Sequence, residues 1–502
     1  MKRTLTIAIA AALGATASTS SAVMLNPRGT GQVLIYPYYT VNHQQTLVSV
    51  VNTTEHGKAL KIRFREAYDG RDVANFNVYL GPFDSWVGAV YDASEDGTGG
   101  ASIATNDNSC TVGGFIGFGT PVPGLPRASL AFSNANYSQG AYGTATGTDR
   151  GPLGLDRTRE GFFEVIEMGE VADQASASRH TLAAITPVNG VPPGCEQVRD
   201  AWEAGGYWTS NSSIDLLPPG GGLYGAAGIV DVALGTLYAF DATAIDGFSG
   251  IVQHSAQGDS KPNLASAITD SADDLATAYV PLGTSMSRAD YVASTAGIDA
   301  VSAVLMTDAL YNEYDIELGL GAATYWVVTF PTKQFYVDPA FGDGLHWTPP
   351  FQTVFDGVSC VGASPRLFDR EGYYPSTIVI GPPPGLTAGN YICYEAAVVT
   401  FNTDGGDASR ALGSRTQDLS AIANAVASPA GHLELRFVDS DQQMRPAANG
   451  SAFNGLPAIG FAAINYINAN VTPGVLSNYS AAYPHRSHAS CTSTTNPQSA
   501  CP

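Results

Sequence analysis

The sequence predicts a mainly β protein, an antiparallel β-sandwich-like architecture with one or two short helical insertions. Three observations carry that expectation. Short runs rich in β-branched and aromatic residues recur along the chain. Several of them alternate apolar and polar residues with the period of a strand. Polar turns separate them, in a chain that holds 55 Gly and 30 Pro.

The elements follow in chain order. Residues 32–41 (QVLIYPYYTV) form the first strand, and Pro37, which has no N–H to give, places it at an edge or a bulge. Residues 46–52 (TLVSVVN) form the next, closed by a turn at 53–57. In 59–65 (ALKIRFR), Leu60, Ile62 and Phe64 point one way and Lys61, Arg63 and Arg65 the other, the pattern of a half-buried strand. Residues 75–80 (NFNVYL) repeat it. Residues 93–160, rich in Gly, Ser, Thr, Asn and Pro, read as an extended insertion clamped by Cys110. Strand character returns at 161–168 (GFFEVIEM), and a short helix fits 196–204 after Pro192-Pro193-Gly194.

Pro218 to Gly222 (PPGGG) marks a soft boundary, and 229–241 reads as a hairpin turning near Leu234-Gly235. Ile298 to Leu310 is the principal helix, with Ile298, Val301, Val304 and Leu305 at helical spacing and Ser294 or Thr295 as cap. Residues 323–338 (ATYWVVTFPTKQFYVD), 391–401 and 432–438 are strand-forming, and 419–426 offers a second short helix. The chain thus divides into a leader (1–22), an N-terminal β-rich part (23–217), a second β-rich part with a helix (218–478) and a polar tail (479–502). Strands of one main part can complete the sheet of the other, so that the two pack as one unit.

Of the 502 residues, 45 are acidic and 24 basic, a formal charge of -21. Charged residues make up 14%, against roughly 25% in an ordinary soluble domain. The 44% of hydrophobic residues suffices for a large core and excludes global disorder. The acidic balance argues against nucleic acid and against an anionic membrane surface, both of which require clustered Lys and Arg.

Lys2 and Arg3, the apolar run Leu5–Leu13 and the small residues Ser20-Ser21-Ala22 compose a secretory signal peptide. Its apolar run is about half the ~20 residues that span a bilayer, and no later run reaches that length. A transmembrane barrel would suit the Tyr, the Gly and the alternation, but not six Cys, 30 Pro and an Ala500-Cys501-Pro502 end. Cys110, Cys195, Cys360, Cys393, Cys491 and Cys501 agree with export and suggest three disulfides. Six cysteines allow 15 pairings, and sequence neighbours suggest 110–195, 360–393 and 491–501.

Several motifs offer chemistry. Gly220-Gly221-Gly222-Leu223-Tyr224-Gly225 matches G-x-G-x-x-G, but prolines precede it and a strand pattern follows, so it reads as a turn. The acidic loops Asp92–Asp96 (with Glu95), Asn402–Asp407 (with Asp404) and Asp439–Asp441 offer oxygens to calcium, though none completes an EF-hand loop. Asp92, Asp96, Asp404 and Asp407 are the calcium candidates; solvated turns are the alternative.

His485, His488 and Cys491 have zinc-like spacing in a polar tail, where Cys501 offers Cys491 a closer partner. His254, Asp259 and Ser260 share a loop whose Gly-Asp-Ser is similar to one lipase class, but mid-chain. Glu164 with Glu167, and Glu313 with Asp315, are carboxylate pairs of the kind that cleaves glycosides, but the first pair points to opposite faces of a strand. Trp86, Trp202, Trp208, Trp326 and Trp347 could stack on sugars or fill the core. No catalytic motif is assembled in the sequence.

GQVLIYPYYTV (31–41), TLVSVVNTT (46–54), FNVYLGPFDSWVGAV (76–90), GGLYGAAGIVDV (221–232), YWVVTFPTKQFYVD (325–338) and GLPAIGFAAINYIN (455–468) resemble segments of a family of exported proteobacterial proteins with no established activity. The resemblance implies a cell-surface, extracellular or periplasmic location and assigns no catalytic residue. The first functional expectation is a non-catalytic surface or extracellular protein: a structural subunit, adhesin or matrix component. Its partners would be itself, other cell-surface components or glycans, met through sheet edges. The alternative is a secreted or periplasmic glycan- or small-ligand-binding module, with calcium as the one cofactor the acidic loops suggest. A hydrolase with scattered site residues is the third reading.

Overall fold

A computed structural model describes residues 22–93, 99–115, 128–138, 150–172, 180–270, 274–338, 349–374, 380, 390–401, 411–412, 417–419, 428–494 and 501. The protein is mainly β, with several antiparallel sheets and a few short helices.

The first half supplies β1 (Val23–Leu25), β2 (Val33–Thr40), β3 (Gln45–Asn52), β4 (Gly57–Glu66), β5 (Asp72–Leu80), β6 (Ser85–Asp92), β7 (Ala101–Thr105), β8 (Cys110–Val112), β9 (Ala128–Ala131) and β10 (Glu160–Val171). Three short helices follow: α1 (Thr181–Ile185), α2 (Cys195–Asp200) and α3 (Tyr207–Ser210). Then come β11 (Leu216–Leu217), β12 (Leu223–Asp231), β13 (Thr236–Asp241), β14 (Thr243–Asp246), β15 (Ala276–Leu282) and β16 (Ser285–Tyr291). They build two sheets. The first, of ten strands, runs β16-β15-β1-β14-β2-β10-β4-β5-β8 with β11 on β10; the second runs β13-β12-β3-β6-β7-β9.

These two sheets face each other over an aromatic core. Tyr36 of β2 stacks on Phe163 of β10 at 4.1 Å, Phe163 stacks on Phe64 of β4 at 4.7 Å, and the Tyr36 hydroxyl donates to the Ser49 carbonyl of β3. A side chain at Gly225 of β12 would strike that hydroxyl, so glycine is what lets the sheets close there. Pro37 sits in a central strand, at a bulge where the pairing shifts between Gly161↔Tyr39 and Phe163↔Tyr36. The chain passes Pro218 without leaving these sheets: β12 pairs with β3 from Leu223↔Asn52 to Val230↔Gln45, and β14 pairs with β2. Within 93–160, β7 and β9 extend the second sheet and β8 the edge of the first.

The second half adds α4 (Ala296–Leu305), β17 (Met306–Thr307), β18 (Ala309–Asp315), β19 (Ala322–Thr329), α5 (Gln334–Val337), β20 (Cys360–Gly362), β21 (Ser364–Asp369), β22 (Tyr391–Cys393) and β23 (Ala396–Thr400). After them come β24 (Gln417–Asp418), β25 (Ala430–Arg436), β26 (Ser451–Phe453), β27 (Leu456–Pro457), β28 (Ile459–Thr472), β29 (Val475–Pro484), β30 (Arg486–His488) and β31 (Cys491–Ser493). A third sheet runs β24-β23-β19-β28-β29 and a fourth β21-β25-β18-β30. Every residue of β19 is buried, because the strand is covered on both faces. On one side Trp326 Nε1 donates to the Glu313 carbonyl of β18; on the other Thr329 Oγ1 donates to the Pro37 carbonyl of β2. One hydrophobic core therefore runs through both halves.

Three expectations are corrected here. The strand over 323–338 stops at Thr329: Pro331 cannot extend a ladder, and the chain turns into α5. The helix over 298–310 ends at Leu305, and β17 and β18 take up the rest. The polar tail is woven in, since β29 pairs with β28, β30 with β18 and β31 with β26. The helix expected at 419–426 falls almost wholly outside the described residues.

The largest departure concerns β4. The expected half-buried strand is buried along its whole length, Lys58, Lys61, Arg63 and Arg65 included. Arg65 donates from Nε and Nη2 to Glu164 of β10 at 3.2 and 2.9 Å, and from Nη1 to Gln334 of α5 at 2.6 Å. Arg63 pairs with Asp72 and Glu164. Its Nη1 also donates to the carbonyls of Ser260 (2.8 Å) and Pro262 (2.9 Å), while Lys61 Nζ donates to Ala256 O at 2.6 Å. What looks like a solvent face is a docking face for the 253–263 segment and for the second half.

Removing one partner of a buried ion pair strands the other. Glu164→Gln, which leaves Arg63 and Arg65 short of a carboxylate, should lower stability by about 3–5 kcal/mol in urea unfolding. Asp92→Asn, at the partly exposed Arg159 pair, should cost under about 1 kcal/mol. Equal losses for the two variants would contradict this view of β4.

Candidate functional site

The described residues place the sequence candidates apart and occupy most of them. Asp92 lies at the end of β6 in a two-pronged pair with Arg159: Nη1 to Oδ1 at 2.9 Å and Nη2 to Oδ2 at 2.7 Å. Both oxygens it would lend to calcium are held. Glu95, Asp96, Asn402, Asp404, Asp407 and Trp347 fall outside the described residues. Among the described residues no group of three or more His, Cys, Asp or Glu is placed to hold a metal ion.

The three disulfides join Cys110–Cys195, Cys360–Cys393 and Cys491–Cys501. The first ties β8 to α2, so the α1–α3 cap is fastened to the edge of the first sheet. Such bridges fit an oxidising compartment, and no helix among the described residues is long and apolar enough to cross a membrane.

His254 of the Gly-Asp-Ser loop is buried under that cap. Its Nδ1 meets the Ser212 carbonyl at 2.7 Å, and its Nε2 meets the Tyr79 hydroxyl at 2.8 Å. Tyr79 in turn accepts from Trp202 Nε1 at 2.9 Å, and Trp208 packs edge-on to the imidazole. Every polar atom is used, and burial holds the imidazole down at about 3. Asp259 and Ser260 do not join it; Asp259 accepts from Ala256 N.

His485 and His488 separate as well. His485 is half-buried against Trp326, with Nε2 on the Val327 carbonyl (2.9 Å) and Nδ1 facing Asn312 Nδ2 (3.0 Å), and loss of solvent around its ring lowers it to about 4. His488 is exposed and pairs with Asp308 at 2.7 Å, while Cys491 is in its disulfide.

Glu164 and Glu167 serve structure. Glu164 neutralises Arg63 and Arg65. Glu167 accepts from Lys58 Nζ at 2.8 Å and from the backbone N–H groups of Gly220 (3.1 Å) and Gly221 (2.7 Å). The glycine-rich turn does bind an anion, and the anion is this chain's own carboxylate. Gly221 has φ +76°, which turns its N–H inward.

A second ionic layer joins the halves. Arg71 donates to Asp338 Oδ1 at 2.6 Å and to Asp69, and Arg157 pairs with Glu66 at 2.8 Å. Lys333 donates to the carbonyls of Ser359 (2.7 Å) and Tyr394 (2.9 Å). Burial lowers Lys333 to about 8, against the pull of Glu395 and Asp69. Glu395 and Asp69 are themselves pushed well above the usual carboxylate range, first by burial. None of these groups is exposed to a substrate.

His254 lines a cleft of about 520 Å³ and His485 one of about 460 Å³, and a larger open feature lies on the outer face of the second sheet. A groove of about 920 Å³ crosses β13, β12, β3, β6 and β7. Leu47, Val87 and Leu237 stand along it, each 46–49% exposed. Among the described residues its one charged lining residue is Asp92, already paired with Arg159. An outer sheet face normally carries polar residues, so this apolar face is the departure that marks a site. Sequence reading missed it. The signal was present in TLVSVVN and SWVGAV, whose two alternating faces are both apolar.

Comparison with known protein families, with curated proteins and with solved structures finds no match to this chain.

His254 and His485, whose rings the fold desolvates, give a signed pH effect. Their folded pKa values lie at about 3 and about 4, below the roughly 6.5 of an unfolded imidazole. The unfolded chain therefore binds more protons, and stability falls as pH drops from ~6.5 toward 4, by about 1.4 kcal/mol per pH unit per histidine. Urea unfolding at several pH values should show a shallower slope in His485→Gln than in the parent; an unchanged slope would refute the assignment.

Proposed function

We propose that this chain is an exported, non-catalytic binding protein that holds a small ligand on the outer face of its second sheet. The observation that carries the reading is the neutral, apolar groove of about 920 Å³ on that face. Export is supported by the 1–22 leader, by three disulfides and by the family resemblance. A non-catalytic role is supported by where the reactive groups lie: His254, Glu164, Glu167 and Lys333 are buried in contacts that hold the fold, Glu395 is buried, and half-buried His485 is held by Val327 and Asn312.

Edge-to-edge assembly, the route to a structural polymer, finds little support among the described residues. The edge of β13 is capped by β29, where Ser480 Oγ meets Leu237 N and O and Asn478 Nδ2 donates to Leu234 O. The edge of β16 is capped by Ala448 N on Asp290 O and Asn449 Nδ2 on Arg288 O. β21 carries Pro365 and Arg366, which blunt an edge.

Thermal unfolding of the full chain against a panel of apolar small molecules, sugars and calcium, with and without EDTA, tests the reading. Apolar ligands should raise the midpoint, with about 2.7 kcal/mol added at a hundred times Kd, and Leu47→Glu should remove the shift. A shift with sugars alone would replace the ligand class. No shift at all, together with filaments in negative stain, would replace the function by a structural one.

A further inference from the structure

We infer that the groove takes the hydrocarbon chain of a single lipid molecule, carried in solution; this rests on the binding reading above and names its ligand. The argument begins with shape. The floor carries side chains no larger than a methyl group at Ala89, Ala104, Ala226, Gly228 and Ala239, on either side of Leu47 of the central strand, which pairs with both Gly228 and Ala89. A Cβ at Gly228 would stand 2.8 Å from Leu237 Cδ1, so this glycine is what allows Leu237 to lie across the floor as a wall. Leu47 and Val87 line the groove as well. The trough crosses five strands, roughly 19 Å between the outer strand axes, which is the reach of a long acyl chain.

Chemistry narrows the occupant. A sugar exchanges water for many hydrogen bonds, and the groove has few to give. Ser49 Oγ donates to the Ala226 carbonyl, and Thr105 Oγ1 donates to the Val87 carbonyl. An anion finds no cation among the described lining residues, because none of them is Lys or Arg. A second copy of this chain would bring a charge of -21 against -21, and two concave faces would enclose a void. A neutral, linear, apolar body meets none of these costs. Gln45 and Asn106, among the lining residues, can hold its polar end.

The groove also has a reporter. Trp86 is fully buried beneath the sheet, and a Cβ at Gly88, a lining residue, would be 2.6 Å from Trp86 Cη2. An acyl chain in the trough lies over this indole.

The test is titration of the full chain with the methyl ester of cis-parinaric acid, a fluorescent and uncharged long-chain lipid, read by indole-sensitised emission. The expected result is saturable binding. Ala226→Phe fills the floor with a residue that favours strands and should weaken it about tenfold. Trp86→Phe should lower the sensitised emission while Kd stays within about twofold. Val232→Ser, at the exposed β12–β13 turn, should change neither. Absence of saturable binding, or equal affinity in Ala226→Phe, overturns the lipid assignment. So does sedimentation with phosphatidylcholine vesicles in place of free-ligand binding, or a dimer in analytical ultracentrifugation that Leu47→Glu dissolves. If the parinaric ester fails while another small molecule still gives a thermal shift that Leu47→Glu removes, only the ligand class falls; if both fail, the binding reading falls with it.

Discussion

The neutralisation of β4 is the constraint on which the rest depends. Four cations, Lys58, Lys61, Arg63 and Arg65, are buried in one ten-residue strand. Buried charge is tolerable only when paired and hydrogen-bonded. No single neighbour can do this. β10 gives Glu164 and Glu167, β5 gives Asp72, the 253–263 segment gives carbonyls, and α5 gives Gln334. The partners come from positions up to 269 residues away, so β4 can be satisfied only when both halves are in place. The ionic layer thereby sets the register between the halves, a role that an apolar contact, being non-directional, fills less well.

The same constraint explains why the chemically suggestive residues are silent. A carboxylate buried against an arginine, or an imidazole held by a carbonyl and a phenol, is committed to the fold and screened from a substrate. Lys61 shows it: burial and the neighbouring Arg63 lower its amine to about 7, a value suited to a nucleophile, yet its Nζ is turned onto the Ala256 carbonyl. A perturbed pKa marks a functional site only where the group also faces a cavity.

Much of the fold was legible in the sequence because strand periodicity is local. ALKIRFR, NFNVYL and the 229–241 hairpin read correctly as strands, and Pro37 marked its bulge. What alternation cannot say is which of two faces meets water. Lys61, Arg63 and Arg65 looked like the wet face and are dry, while the apolar Leu47, Val87 and Leu237 are exposed. That choice is made by segments distant in sequence, such as α5 and residues 253–263. The same holds for motifs: Gly220–Gly222 and Glu167 are 53 residues apart, and only the fold shows that one binds the other.

These two inversions are linked. Lys58, Lys61, Arg63, Arg65, Arg71, Arg157 and Lys333 are all buried, so a substantial part of the 24 basic residues lies inside. An acidic surface resists self-association through like-charge repulsion. Among the described residues it leaves an uncharged groove as a place where an apolar surface can stay open without drawing copies of the chain together. With the positive charge used to lock the core and the negative charge keeping molecules apart, the outer face of the second sheet is free to be apolar. Of the surfaces described, it is there that the protein can meet something other than water.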